Sequence, residues 1–504
     1  MQPLNSISQN EKRYVLLTWL SYLAVLGFTM YHHEPWRDEW QAWLIVKNSD
    51  SIGSLFQKLG YEGHPSFWYL LLWIVQLFTN KIAGMQLLHF IIAAATALVW
   101  LRYAPFNKLQ KALFLFGYFP LYEYGVISRN YGVSLLLLFL FLLAFTKNRS
   151  NYFLQAFLLC LLMQTNLIAF IVSGVLALSV AFNMFQSWKT TSVSLARCIT
   201  AALILTIGVW LCAFTVWPPG DIQITGWRSD ISFRGIGGVL KFIWQVMFPI
   251  PQAQMHFWNT NFIESSWLML SLSVLVFTSL VLLFVRNRQV LLIFLGGSLA
   301  ILCFMYLKYL LFIRHSGHIY LLFITCLWLF NTYSVNKPVG SSWIYRNRNI
   351  LITTILCCHV LAGLMACYID WKQPFTGAKA AASFLKQQHP QTPIAADPDV
   401  FTFPISGYLD RPLYNLRTKK DFEYITWNTE RVVPATDSGL IASAKDYAFH
   451  KQTNIILILR YRLNKQYEGV NLIASFEKSI EEQEMYIIYE VRPKQTFPKI
   501  SHRK

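Results

Sequence analysis

Twelve apolar runs, most of them close to twenty residues, constrain this 504-residue chain more than any other feature. They fall near 14–31, 67–79, 83–101, 112–122, 131–145, 152–164, 167–185, 198–217, 265–285, 290–307, 318–331 and 350–369. A single run of this kind is a membrane-span candidate, and their repetition means a mainly α, polytopic membrane protein. The composition agrees, with 55% hydrophobic residues against 13% charged. The formal net charge of +18 does not indicate nucleic acid, because the Lys and Arg residues stand in short clusters between apolar runs, as cytoplasmic loops do. All eight cysteines lie inside apolar segments, which suggests neither a disulfide framework nor a Cys-based zinc site. The first run has bulky residues after it and no small-residue cleavage site, so it reads as an uncleaved span.

The run at 67–79 is in the length range of an interfacial or re-entrant helix. If it does not cross, the clusters Arg102/Lys108/Lys111, Lys147/Arg149, Lys189/Arg197, Arg286/Arg288 and Lys337/Arg346/Arg348 all face the cytoplasm. The expectation is therefore eleven spans plus one embedded juxtamembrane helix. This topology gathers the first outer loop 32–66, the turn 123–130, the loop 218–264, the segment 308–317 and everything after 370 on the outer face. Residues 1–369 form the membrane module. The tail 370–504 is more polar, with a helical stretch at 378–388 and strand-like runs at 393–396, 454–459 and 485–491, which predicts a small extracytoplasmic α/β domain.

The first outer loop carries an acidic pair, Asp38-Glu39, among Trp residues at helical spacing. Pro35 suits a first helical turn, and acids near that terminus complement the helix dipole. At about 100° per residue, Trp36, Trp40, Trp43 and Leu44 share a stripe, with Asp38 opposite it and Glu39 on its flank. With the Trp stripe in the interfacial belt, Asp38 points away from lipid. Two acids on a solvated helix are the plainer alternative.

Other polar groups fall on the same face. Glu123, Arg129 and Tyr131 occupy the turn between two runs, where charge is expensive and functional by default. Arg129 offers a fork suited to phosphate, though pairing with Glu123 would also explain it. Lys308, Arg314 and His315 form a second cationic cluster, with snorkelling towards lipid headgroups the alternative. His64 precedes Pro65 at the start of the embedded helix. Trp227 could stack on a sugar beside Arg228, or anchor its loop in the interface. Six histidines (32, 33, 64, 256, 315 and 318) share this side. A divalent metal is conceivable, but no pair has His-x-x-x-His spacing with a third ligand, so neither metal nor cofactor is indicated.

Taken together, Asp38-Glu39, then His64-Pro65-Ser66-Phe67-Trp68-Tyr69-Leu70, then Ser128-Arg129-Asn130-Tyr131 resemble the GT-C superfamily of polytopic glycosyltransferases. Within it, the protein O-mannosyltransferase (family 39) and aminoarabinose-transferase types are the most alike. The resemblance covers residues 14–150 in motif and the rest in architecture. Ser66 stands where many relatives have a second Pro, and Gly132-Val133-Ser134 where many have an Asp. The resemblance implies a polyprenyl-phosphate sugar donor, an inverting reaction and an acceptor hydroxyl on a glycan, lipid or protein. It gives Asp38 the role of general base and Glu39 that of orienting partner. Arg129, Arg314, His315 and Lys308 become donor-phosphate ligands, and His64, Glu123, Tyr131, Trp227 and Arg228 line the substrate site. The implied location is the bacterial inner membrane with the active site on its extracytoplasmic face. Competing classes are a transporter or lipid flippase, which would call for inverted repeats, and a non-catalytic scaffold presenting the tail.

Overall fold

The computed structural model describes residues 8–190, 194–223, 232–308, 312–333, 343–431 and 435–494. The chain divides into two compact units. One comprises residues up to His33, Ser49–Pro219 and Ile224–Lys372; the other comprises Glu34–Asn48, Gly220–Gln223 and Gln373 onward.

The first unit is a helical bundle. Among the described residues, nine helices are long and apolar enough to cross a membrane, and they coincide with nine of the eleven expected spans. The other two differ. Tyr152–Met163 has only 12 residues, about 18 Å at 1.5 Å per residue, against a hydrocarbon core of about 30 Å. The run at 112–122 is not one helix. Helix Lys108–Leu115, capped by Asn107, ends before Gly117, and Tyr118–Val126 continues as a π-helix. Pro120 lies in that π-helix, and a Cβ on Gly125 would sit 2.5 Å from the Pro120 carbonyl oxygen, so only glycine allows the turn to close. The expected turn at 123–130 is thus largely helical. The embedded helix is Phe67–Gln76, too short to cross, and it begins after Ser66, so Pro65 lies just outside it. Ile313–Tyr333 and Asn130–Lys147 are the most enclosed helices. Trp100 packs between them, its ring 4.0 Å from Phe114, 5.0 Å from Phe139 and 5.8 Å from Trp328.

The second unit is an α/β domain. Its strands are β1 (Ile394–Asp397), β2 (Leu413–Asn415), β3 (Asp421–Phe422), β4 (Ile455–Leu459), β5 (Val470–Phe476) and β6 (Tyr486–Val491), in sheet order β3-β2-β1-β4-β6-β5. β1 pairs in parallel with β2 and β4, and the remaining pairs are antiparallel. β4 reads Ile-Ile-Leu-Ile-Leu and is buried throughout, because each face of the sheet is covered. Ile456 and Ile458 pack with helices Ala378–Gln388 and Asp399–Leu409, while Ile455, Leu457 and Leu459 pack with helix Asp437–Lys451.

The acidic-pair helix belongs to this unit. It spans Arg37–Lys47, with Trp36 as N-cap, so it starts two residues later than Pro35 suggests. The Trp36, Trp40 and Trp43 side chains are buried, and they meet protein rather than a lipid interface. Trp36 faces Phe375, and Trp40 meets Tyr408 edge-on at 4.8 Å. Periodicity identified an apolar stripe, but its cover is the C-terminal domain and not the interfacial belt. Gln41 donates to the Ile425 carbonyl at 2.7 Å and accepts from its N–H at 2.9 Å. Tyr408 donates to the Pro35 carbonyl, Asn48 donates to Glu423, and Lys47 pairs with Asp410.

Gly407 is the tightest point of this packing, since a Cβ there would lie 2.3 Å from the Trp40 ring. Gly407→Ala should destabilise the docked helix by about 1–3 kcal/mol, the usual cost of overpacking. The readout is a lower melting temperature of the full chain in detergent, partly restored by adding Trp40→Phe. Unchanged melting in Gly407→Ala would contradict this packing.

Candidate functional site

The start of helix Arg37–Lys47 separates its two acids by environment. Glu39 is fully buried and accepts a hydrogen bond from the Trp36 N–H at 3.2 Å, closing the first turn. The Asp38 side chain keeps about a quarter of its surface exposed (26%). Glu39 is thus placed to hold the turn, while Asp38 is partly exposed and lies 4.0 Å from the Arg37 guanidinium. Arg37 anchors the same turn from the other side. Its N–H donates to Glu484 at 2.9 Å, and its guanidinium reaches Gln483 at 3.0 Å and Glu481 at 3.5 Å. Burial pushes the Glu484 carboxyl up to about 8, opposed by the nearby Arg37.

A second set of functional groups is built wholly within the helical unit. Arg129 is the N-cap of helix Asn130–Lys147 and is buried. Arg314 and His315 lie in the first turn of Ile313–Tyr333, whose first N–H is held by Asn259 at 3.1 Å. Arg129, Arg314, His64 and His318 all lie within electrostatic reach of His315. Tyr131 stacks on Tyr124 at 5.3 Å and meets His318 and His315 at 5.8 and 6.2 Å. The Arg314 guanidinium sits over Trp258 at 5.5 Å and Phe312 at 4.6 Å. Glu123 is buried and accepts from Tyr118 at 2.8 Å and Trp258 at 2.9 Å. The arrangement is a cationic centre walled by aromatic rings, with a buried carboxyl beside it. Such a centre suits a phosphate held out of water. His315 Nδ1 and His318 Nε2 are buried without a hydrogen-bond partner among the described residues, which fits a centre built to receive an additional acceptor or donor group.

The helical unit therefore brings together Arg129, Arg314, His315, His64, Glu123 and Tyr131. His64 Nδ1 is tied to the Glu62 carbonyl at 2.8 Å. Lys308 ends helix Arg288–Lys308, and the three residues after it lie outside the described residues. Trp227 and Arg228 also lie outside them. Among the described residues, no group of three His, Cys, Asp or Glu side chains could hold a metal ion.

Sequence reasoning missed a buried His–Asp pair. His33 Nδ1 lies 2.7 Å from Asp370 Oδ2, with both side chains fully enclosed, and Tyr122 donates to the same oxygen at 3.1 Å. His33 also faces Glu123 electrostatically, so the pair adjoins the aromatic cluster. A signal existed, since Asp370 is the only acid in the span Arg346–Lys372. Trp258 was missed too, being one of many aromatics in a long loop.

No family model matches this sequence, and no curated protein does. Solved structures do match. The crystal structure of ArnT from Cupriavidus metallidurans bound to undecaprenyl phosphate aligns over 95% of this chain and 99% of its own, at 12% identity and a TM-score of 0.53. The apo state of the same protein aligns over 96% and 99%, also at 12% identity, with a TM-score of 0.55. Across nearly its whole length, this chain therefore has the fold of the ArnT structures.

Proposed function

We propose that this chain is a multi-pass membrane glycosyltransferase that moves a sugar from a polyprenyl-phosphate donor to an acceptor hydroxyl. The observation that carries the proposal is the clustering of Arg129, Arg314 and His315 within a fold whose solved counterpart was crystallised with undecaprenyl phosphate. In this reading Arg129, Arg314 and His315 hold the donor phosphate, with Tyr131 and Glu123 completing the wall. Asp38 takes the acceptor hydroxyl proton as that oxygen attacks the anomeric carbon. The bond from that carbon to the phosphate oxygen breaks, and the phosphate leaves with the electron pair. Attack opposite the leaving group inverts the centre. Phosphate is a good leaving group, so the cations need only stabilise its growing charge, and no general acid is required. Glu39 keeps the turn in shape through its bond to Trp36. We place the reaction on the extracytoplasmic face of a bacterial inner membrane, as the positive-inside rule implies.

The decisive experiment is radiolabelled sugar transfer by purified variants. Asp38→Asn should lose on the order of 10²–10⁴-fold in turnover while retaining donor affinity. Glu39→Gln keeps an acceptor oxygen for the Trp36 N–H and should be milder. An inactive Glu39→Gln beside an active Asp38→Asn would make Glu39 the base. Full activity in both would overturn the assignment to this helix.

Sidedness is checked separately. Ser383 is exposed on helix Ala378–Gln388. A cysteine placed there, in a chain cleared of its other reactive thiols, should react with an impermeant reagent on spheroplasts. Labelling only after lysis would invert the topology.

A further inference from the structure

The C-terminal domain has a charged sheet edge that the donor chemistry does not use. In open α/β sheets, ligands bind outside the carboxyl ends of the strands where the connections diverge to either side. Here that point lies at β1, which has β2 on one side and β4 on the other. β1 ends at Asp397, paired with Leu459 at the end of β4. The residues that follow these ends are unusually rich in charge. Arg417 holds Asp397 through two bonds of 2.5 and 2.9 Å, and Arg431 holds Asp399 through two of 2.9 and 2.8 Å. Asn415, the last residue of β2, donates to Asp399 at 3.2 Å. Both carboxylates are therefore neutralised locally.

Arg460, the residue after β4, is the cation left over. Among the described residues its guanidinium makes no hydrogen bond or ion pair, and it lies over the Phe401 ring at 4.7 Å. The Arg37 guanidinium contacts the same ring at 4.8 Å. Glu481 and Asp38 already face the Arg37 guanidinium, at 3.5 and 4.0 Å, so Arg460 is the guanidinium of the two that is left to take an anion. Arg37 is also the residue before Asp38, so the ring joins the sheet's switch point to the acidic turn within a single unit.

We infer that the carboxyl edge of β1 and β4, with Arg460 beside Phe401, binds an anionic group of the acceptor. The acceptor is then a saccharide carrying phosphate or carboxylate, placed with its hydroxyl towards Asp38. This rests on the reading of Asp38 as the base, but the binding itself does not need that reading. A rigid guanidinium suits either anion, and Phe401 gives the sugar an apolar surface.

The test is titration of the purified full chain with glucose 1-phosphate, with glucuronate and with neutral glucose. At least one anionic sugar should bind about tenfold or more tightly than glucose, and Arg460→Gln should remove that advantage without lowering the melting temperature. A glucose 1-phosphate advantage alone points to a phosphorylated acceptor, and a glucuronate advantage alone to an acidic one. Asp38→Asn and Arg314→Ala should leave the binding intact. Equal binding of all three sugars would overturn the inference, and so would an advantage that survives Arg460→Gln or vanishes in Arg314→Ala. In transfer assays Arg460→Gln should raise the acceptor KM and spare kcat, whereas failure of the base assignment would show as an active Asp38→Asn.

Discussion

The capture of the first-loop helix by the C-terminal domain is the contact on which the candidate chemistry depends. Gln41 and Ile425 are 384 residues apart in the chain, yet they exchange two hydrogen bonds across buried ground. Three buried Trp rings and the bare backbone of Gly407 close the interface. A helix of 11 residues is marginal alone in water, so its rigidity comes from this packing. Its first turn is fixed further by Glu39 bonding back to Trp36 and by Glu484 taking the Arg37 N–H. In the proposed mechanism Asp38 is the general base, which must be positioned before it can be useful, and these bonds fix the turn that carries it.

The helical unit solves a different problem. It encloses Arg129, Glu123, His33 and Asp370 in an apolar bundle, where an unpaired charge is costly. The solution is mutual satisfaction. Asp370 takes both His33 and Tyr122, Glu123 takes Tyr118 and Trp258, and aromatic faces cover Arg314. The π-helix Tyr118–Val126 contributes three of these groups from one segment, Tyr118, Tyr122 and Glu123. Its wider turn is a feature often found at functional sites.

Much of this was legible in the sequence where a local signal was strong. Nine spans follow from apolar length alone, and Ile455–Leu459 could only be a buried segment. Helix Ala378–Gln388 was readable from its Ala-rich pattern. Helix Asp399–Leu409 was not, because it contains Phe401, Thr402, Phe403 and an interior Pro404, all poor helix formers. Burial of Ile405 and Leu409 against the sheet overrides that local preference. Strands β2 and β3 are too short to show alternation, and the edge strand β5 is only half buried. For the site, residue type and order pointed to Asp38, Arg129, Arg314 and His315. The long-range contacts nearby were not readable, because ones such as His33 with Asp370 span 337 residues and leave no local trace. The Trp stripe shows the same limit. Its periodicity revealed an apolar face, while what covers that face was a tertiary fact.

The most direct test of the central claim is equilibrium binding of undecaprenyl phosphate to the purified full chain and to its cation variants. One charge-assisted hydrogen bond contributes about 1.5–3 kcal/mol, or roughly ten- to a hundredfold in affinity. Arg314→Ala and Arg129→Ala should each weaken binding on that scale, and Arg129→Lys should recover it only in part, since a point charge cannot replace a planar fork. Wild-type affinity in both alanine variants would show that these cations do not hold the donor phosphate and would contradict the proposed function at its foundation.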